Sequence, residues 1–170
     1  MAGKLITVLL CLVTLAVGGG VYYAQVYGFY EEVADERVEI TGLVSGIPED
    51  IIFDDFQAID AGSSPIRYRA CFTTPMSLAM LTETYETFEG AEPLTAPGWF
   101  DCFDARALGD ELDAGTAIAF AGTRNLEYGI DRVVAVTEDG RGYVWHQVNE
   151  CGDKLYDGTP AGDDCPERNQ

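Results

Sequence analysis

The sequence predicts an α+β protein, an N-terminal transmembrane helix followed by one small domain with an antiparallel sheet and about two helices. Three observations predict it. Residues 5–24 contain no charged side chain. Five later segments read as strands from their alternation and β-branched content. Between the second and third of these, two stretches have helix caps and apolar residues three or four apart.

Twenty residues rising about 1.5 Å each cover roughly 30 Å, the hydrocarbon thickness of a bilayer, so residues 5–24 suffice for one crossing. Lys4 and the terminal amine precede the run, whereas Glu31, Glu32, Asp35 and Glu36 follow it. Positive charge is retained on the cytoplasmic side, which predicts a cytoplasmic N-terminus and an external domain. Tyr22, Tyr23, Tyr27, Phe29 and Tyr30 gather at the far end, where rings sit among acyl chains and hydroxyls among headgroups. A cleaved signal peptide would also use the apolar run 5–17, and Ala16-Val17-Gly18 fits a small-x-small cleavage site. The further apolar and aromatic stretch 21–30 favours an anchor, since a signal peptide has no need of it. Cys11 follows Leu10 rather than a small residue, so it reads as an apolar helix side chain and not as a lipidation site. Ala16, Gly20, Ala24 and Gly28 recur every fourth residue. That spacing lines small side chains along one ridge where a helix of a membrane protein partner can pack closely.

Beyond the anchor (1–30), residues 31–37 read as a juxtamembrane linker and 38–170 as one domain, long enough for a core of its own. All 29 acidic residues but only nine of the ten basic ones lie after residue 30, so that part carries a formal charge of 9 minus 29, or −20. Such a field repels nucleic acid and anionic headgroups and attracts cationic proteins; in many proteins an acidic surface does no more than maintain solubility. Apart from Cys11 there are four cysteines, Cys71, Cys102, Cys151 and Cys165. An even number in an oxidising compartment predicts two disulfides. Of the three possible pairings, Cys71 with Cys102 and Cys151 with Cys165 is favoured, because the second pair closes a short polar tail without apolar residues to hold it. No C-x-x-C is present and His146 is the sole histidine, which argues against zinc, thioredoxin-like redox chemistry and covalent haem.

Residues 38–44 read as a strand ending at Ser45-Gly46, and 51–59 as either a short helix or a strand. In a strand over 66–72, Ile66, Tyr68, Ala70 and Phe72 share one face while Arg67, Arg69 and Cys71 share the other. Thr74-Pro75 reads as a helix start, with Leu78, Leu81 and Tyr85 as the buried stripe of a helix over 75–85 and Met76 and Met80 beside it. After a Pro- and Gly-rich loop over 90–98, Asp104 caps a second helix over 105–113 that stops near Gly115. The aromatic cluster around Cys102 is expected to pack against the strand carrying Cys71. Strands over 116–121, 132–137 and 143–148 complete the domain, the last two joined through Asp139-Gly140, a hairpin signal. The order β, β, α, α, β, β, β suits an antiparallel sheet with the helices on one face.

No catalytic constellation emerges. His146 lies on a strand whose neighbours suggest a half-exposed face, and no G-x-S-x-G accompanies it. The acidic pairs Asp54-Asp55 and Asp163-Asp164 are sequence neighbours that point apart, unlike facing glycosidase acids, and no glycine-rich phosphate loop is present. No metal ligand set or cofactor is expected; the methionines are too few for a copper site.

The stretches Arg67-Tyr68-Arg69-Ala70-Cys71-Phe72-Thr73-Thr74-Pro75, Ala96-Pro97-Gly98-Trp99-Phe100-Asp101-Cys102-Phe103-Asp104 and Gly129-Ile130-Asp131-Arg132-Val133-Val134-Ala135-Val136, with Gly142-Tyr143-Val144-Trp145-His146-Gln147, resemble an uncharacterised family of alphaproteobacterial membrane-anchored proteins. The resemblance extends over nearly the whole chain and implies an inner-membrane anchor and a periplasmic domain, with no activity attached. Relatives sometimes carry a histidine kinase label. One histidine and no nucleotide-binding box exclude a kinase core here and leave room only for a sensory fragment. The reading that follows is a non-enzymatic accessory or interaction subunit of an inner-membrane complex, its helix meeting a membrane partner and its acidic domain a cationic periplasmic one. The alternative is a periplasmic small-ligand-binding or sensory domain, with a pocket lined by the aromatics and by Arg67 or Arg69.

Overall fold

The charge-free N-terminal run folds as helix α1, Ala2–Tyr23, and ends in a single π-turn, Ala24–Gly28. The structure, a computed structural model, describes residues 2–33, 37–162 and 165–166. The chain divides into two compact units, residues 1–30 and 31–170. In the first, 3–28 is long and apolar enough to cross a membrane. The Phe29 amide donates to Ala24 O at 3.1 Å, the i to i+5 bond that makes the last turn π, and the rings of Tyr23 and Tyr27 stack there with centroids 5.7 Å apart.

The second unit is α+β. Its elements are β1 (Glu31–Glu32), β2 (Glu39–Thr41), β3 (Pro48–Asp50), β4 (Asp54–Asp60), β5 (Arg69–Thr73), α2 (Leu78–Thr84), α3 (Ala105–Ala114), β6 (Ala117–Ala121), β7 (Ile130–Thr137) and β8 (Arg141–Val148). A six-stranded antiparallel sheet runs β1-β4-β5-β8-β7-β6, and β2 and β3 form a separate pair. The segment after α2 closes the gap between the two sheets. The Glu86 amide donates to Thr41 O, while Ala121 donates to Glu86 O and Phe88 to Ala119 O, all at 2.8 Å. The β6 edge is thereby covered rather than left open to another chain.

The register sets two apolar faces. Tyr68, Ala70, Phe72, Val134, Val136, Val144 and Phe120 join Ile40, Ile51 and Leu81 in the main core, so α2 and the small sheet cover this face. Tyr143 and Trp145 point the other way, and Phe103 meets both edge-on at 5.7 and 6.4 Å. There Cys71 bonds Cys102 across a Cα separation of 6.2 Å and holds the 99–104 turn and α3 on that side. The helices therefore lie on opposite faces, not on one as expected. The reason is in the strands: Val133–Val136 and Tyr143–Trp145 are buried without a break, and a sheet apolar on both sides needs two covers.

Local chemistry explains the element ends. Asp104 Oδ1 accepts from the amides of Arg106 and Ala107, and α3 stops at Gly115, whose φ of 74° suits glycine. The β7–β8 turn needs Gly140, since its φ is 82° and a Cβ there would lie 2.7 Å from Thr74 O. Arg141 binds Asp139, Glu111 and Tyr143, which ties α3 to this hairpin. Hydrogen bonds from Arg141, then from Thr137, hold the Asp139 carboxyl down at about 2. Three expectations move. Helix α2 begins after Ser77, whose Oγ accepts from the Met80 amide, while the Thr74 hydroxyl donates to Ile52 O at 2.7 Å and accepts from the Met76 amide at 3.2 Å. Residues 65–67 form a 3-10 turn, so the strand begins at Arg69. The expected linker 31–37 opens instead as edge strand β1, paired with Ile59 and Asp60; residues 34–36 lie outside the described residues.

Candidate functional site

Neither of the two arginines expected in a ligand pocket, Arg67 and Arg69, lines the cavity beside the loop over 90–98. Arg69 is buried and gives its Nε to Leu94 O at 2.7 Å, Nη1 to Ile66 O and Tyr68 O, and Nη2 to Thr95 O, with Phe103 beneath the guanidinium at 5.8 Å. The side chain serves as a clamp for the loop over 90–98. Gln147 grips the other end of that loop, accepting from the Glu92 amide and donating to Gly90 O, both at 2.8 Å. Arg67 belongs to the 3-10 turn.

A cavity of about 620 Å³ lies beside this loop and is lined by Glu86, Phe88, Arg124, Asp131, Gln147 and Asn149 among others. Several of its polar groups are matched to one another. Arg124 pairs with Glu86 at 2.7 Å and approaches Asp131 at 3.8 Å. Asp131, buried on β7, accepts from the Asn125 amide at 2.8 Å and from Asn149 Nδ2 at 2.6 Å. Asn149 Oδ1 in turn accepts from the amides of Cys151 and Gly152. Cys151 bonds Cys165 with a Cα separation of 5.5 Å, so this network anchors one end of the disulfide-closed tail.

His146 is buried and stacked on Tyr68 at 4.8 Å, not on a half-exposed face as expected. Pro65 O, 2.7 Å from Nδ1, can only accept, so Nδ1 carries the proton and Nε2 accepts from Arg132 Nε at 3.1 Å. Both nitrogens are engaged, which leaves no free base for a nucleophile. Burial above all, with the Arg132 and Arg69 guanidinium groups, pushes the imidazole down to about 4, against the Pro65 carbonyl and Asp60, which favour the cation. The unfolded chain titrates near 6.5, so it holds the extra proton between the two values, and stability falls as pH drops from about 6.5 through 4. Urea unfolding at pH 7 and 4.5 should show the wild type losing about 2 kcal/mol more than a His146→Gln variant.

Asp54 and Asp55 are exposed at the irregular start of β4, where Asp55 has a φ of 53°; Asp163-Asp164 lies outside the described residues. In the first unit, Ala16 and Gly20 lie in α1, whereas Ala24 and Gly28 fall in the π-turn. A π-turn holds more residues than the α-helical 3.6, which bends the four-residue ridge at Ala24. Space around Gly20 is open, and a Cβ at Gly28 would meet the Tyr23 ring at 3.8 Å.

The most exposed apolar group of the second unit's small sheet is the tip joining β2 to β3. Leu43, Val44 and Ile47 are 54 %, 102 % and 60 % exposed. The tip is nevertheless ordered: Gly42 donates to Ile47 O, Gly46 to Gly42 O, and Ser45 Oγ to Glu49 Oε1 at 2.5 Å. The Leu43 amide donates to Thr84 O at the end of α2, one turn from exposed Met80.

The model of a family of unknown function, DUF6446, matches residues 38–166. The chain belongs to this family. The DUF6446 match lies within the second unit and takes in both disulfides and the tip, while α1 precedes it. No curated protein and no solved structure matches the chain. Two features of this DUF6446 domain escaped sequence reading. The Asp131 network joins residues up to 38 positions apart, and only the Asn and Asp content of its loops points to it. Leu43 and Val44 lie beyond the end of β2, although the apolar pattern over 38–44 predicts a strand there, because periodicity does not reveal that a strand stops early.

Proposed function

We propose that this chain is a non-enzymatic accessory protein of an inner-membrane complex, single-pass, with its N-terminus in the cytoplasm and its acidic domain in the periplasm. The observation that carries the reading is the β2–β3 tip, where an ordered turn holds aliphatic side chains in solvent and uses none of them for the core. Exposed aliphatic groups on a rigid element favour contact with another macromolecule. The two disulfides suit an oxidising compartment, and the order of Lys4, the apolar helix and the acidic residues beyond it suits an external domain. Against a ligand-binding domain stand the contacts of the 620 Å³ cavity, where Arg124, Asp131, Gln147 and Asn149 are spent on Glu86, on each other and on the main chain. Small residues at Ala16, Gly20 and Ala24 would let a partner helix approach α1.

The test is recovery of the tagged full-length chain from membranes in a mild detergent. Wild type should bring down a membrane protein, and Gly20→Ile with Ala24→Ile should reduce that recovery about fivefold or more. Equal recovery from both would sink the role given to the ridge.

A further inference from the structure

We propose that the β2–β3 tip docks a basic amphipathic segment of a partner protein. The inference rests on the accessory reading above and names the chemistry of its partner. Leu43, Val44 and Ile47 supply the apolar part. Their turn is closed by its own main-chain bonds and by Ser45 on Glu49, so little conformational freedom is lost when a partner settles on it.

The charges beside the tip select the occupant. Glu49 reaches into the turn through its bond to Ser45. Asp50 follows it on β3, and Glu83 precedes the residue whose carbonyl receives the Leu43 amide. A second copy meeting this surface about a two-fold axis would set these carboxylates against their own equivalents. An anionic bilayer surface is repelled for the same reason. A segment with an apolar stripe flanked by Lys or Arg meets both requirements, in the manner of helices that bind acidic apolar surfaces.

Val44 makes a clean probe position, since its side chain is fully exposed. A photo-crosslinking amino acid, p-benzoylphenylalanine, replaces Val44 in the full-length chain, which is illuminated in its native membranes before the crosslinked peptide is sequenced by mass spectrometry. The expected adduct is a protein segment of net positive charge with apolar residues three or four apart. Its yield should fall about fivefold or more when Glu49→Gln, Asp50→Asn and Glu83→Gln are combined. An adduct to a second copy, to lipid or to a neutral or acidic segment overturns the proposal, as does an undiminished yield in the triple variant. The same photo-reactive residue in place of Gly20 separates the two readings. Adducts at position 20 with none at 44 overturn the tip proposal and leave the accessory reading standing, and adducts at neither position overturn both.

Discussion

Replacing Cys71 and Cys102 together by alanine is expected to lower the unfolding free energy by about 4 kcal/mol, measured by urea titration with tryptophan fluorescence. The bridge spans 31 residues, and closing a loop of that length restrains the unfolded chain by roughly this amount. The folded state depends on the bridge as well. The 90–104 segment covers one face of the sheet with few regular main-chain bonds of its own, held by Arg69, Gln147, Phe103 and the disulfide. The Cys151–Cys165 bridge spans 14 residues and by loop length alone would contribute about 3 kcal/mol. Its removal should nevertheless cost about 1 kcal/mol or less in global unfolding. Residues 153–161 are exposed, so the opened tail frays beyond the Asn149 network and the loss is limited to what the tail's own docking contributed.

Trp145→Ala should cost about 4 kcal/mol, the range for truncating a fully buried large aromatic. Trp145 has no exposed surface and sits at the middle of the sheet, opposite Arg69 on one neighbour and Val133 on the other. Phe103 packs against its edge at 6.4 Å, and its Nε1 donates to Gln147 Oε1 at 3.3 Å. The substitution opens a void beneath the 90–104 cover and loosens the glutamine that grips the loop. Val44→Ala, by comparison, should change stability by no more than about 0.5 kcal/mol, because the side chain contacts solvent only. A fluorescence-independent probe such as the far-ultraviolet circular dichroism melting curve checks both, since one variant lacks a tryptophan.

The contrast between these residues marks how far the sequence could be read. Helix α3 was legible to within a residue because Asp104 and Gly115 signal its ends by local chemistry. The β7–β8 hairpin was legible because Asp139-Gly140 admits few other structures. The start of α2 was not, since Thr74 and Ser77 are equally good caps, and Thr74 also bonds Ile52 O, a partner 22 residues away that local pattern does not announce. Nor was β1, two glutamates that pair through the main chain alone and show no apolar pattern. Placement of the helices on opposite faces was readable in principle from the unbroken apolar runs of β7 and β8, but the element order outweighed it. The tip is the clearest failure of periodicity: Leu43 and Val44 have strand-like side chains and lie outside the strand.

The central claim is that this chain works as part of a membrane assembly, and the protein mass of the purified particle tests it most directly. Size-exclusion chromatography with light scattering, corrected for a mild detergent, should give the tagged full-length chain a protein mass well above its own 18.5 kDa, with a second polypeptide in the same peak. A particle of one bare chain at that mass, obtained from gently solubilised membranes, would contradict the account.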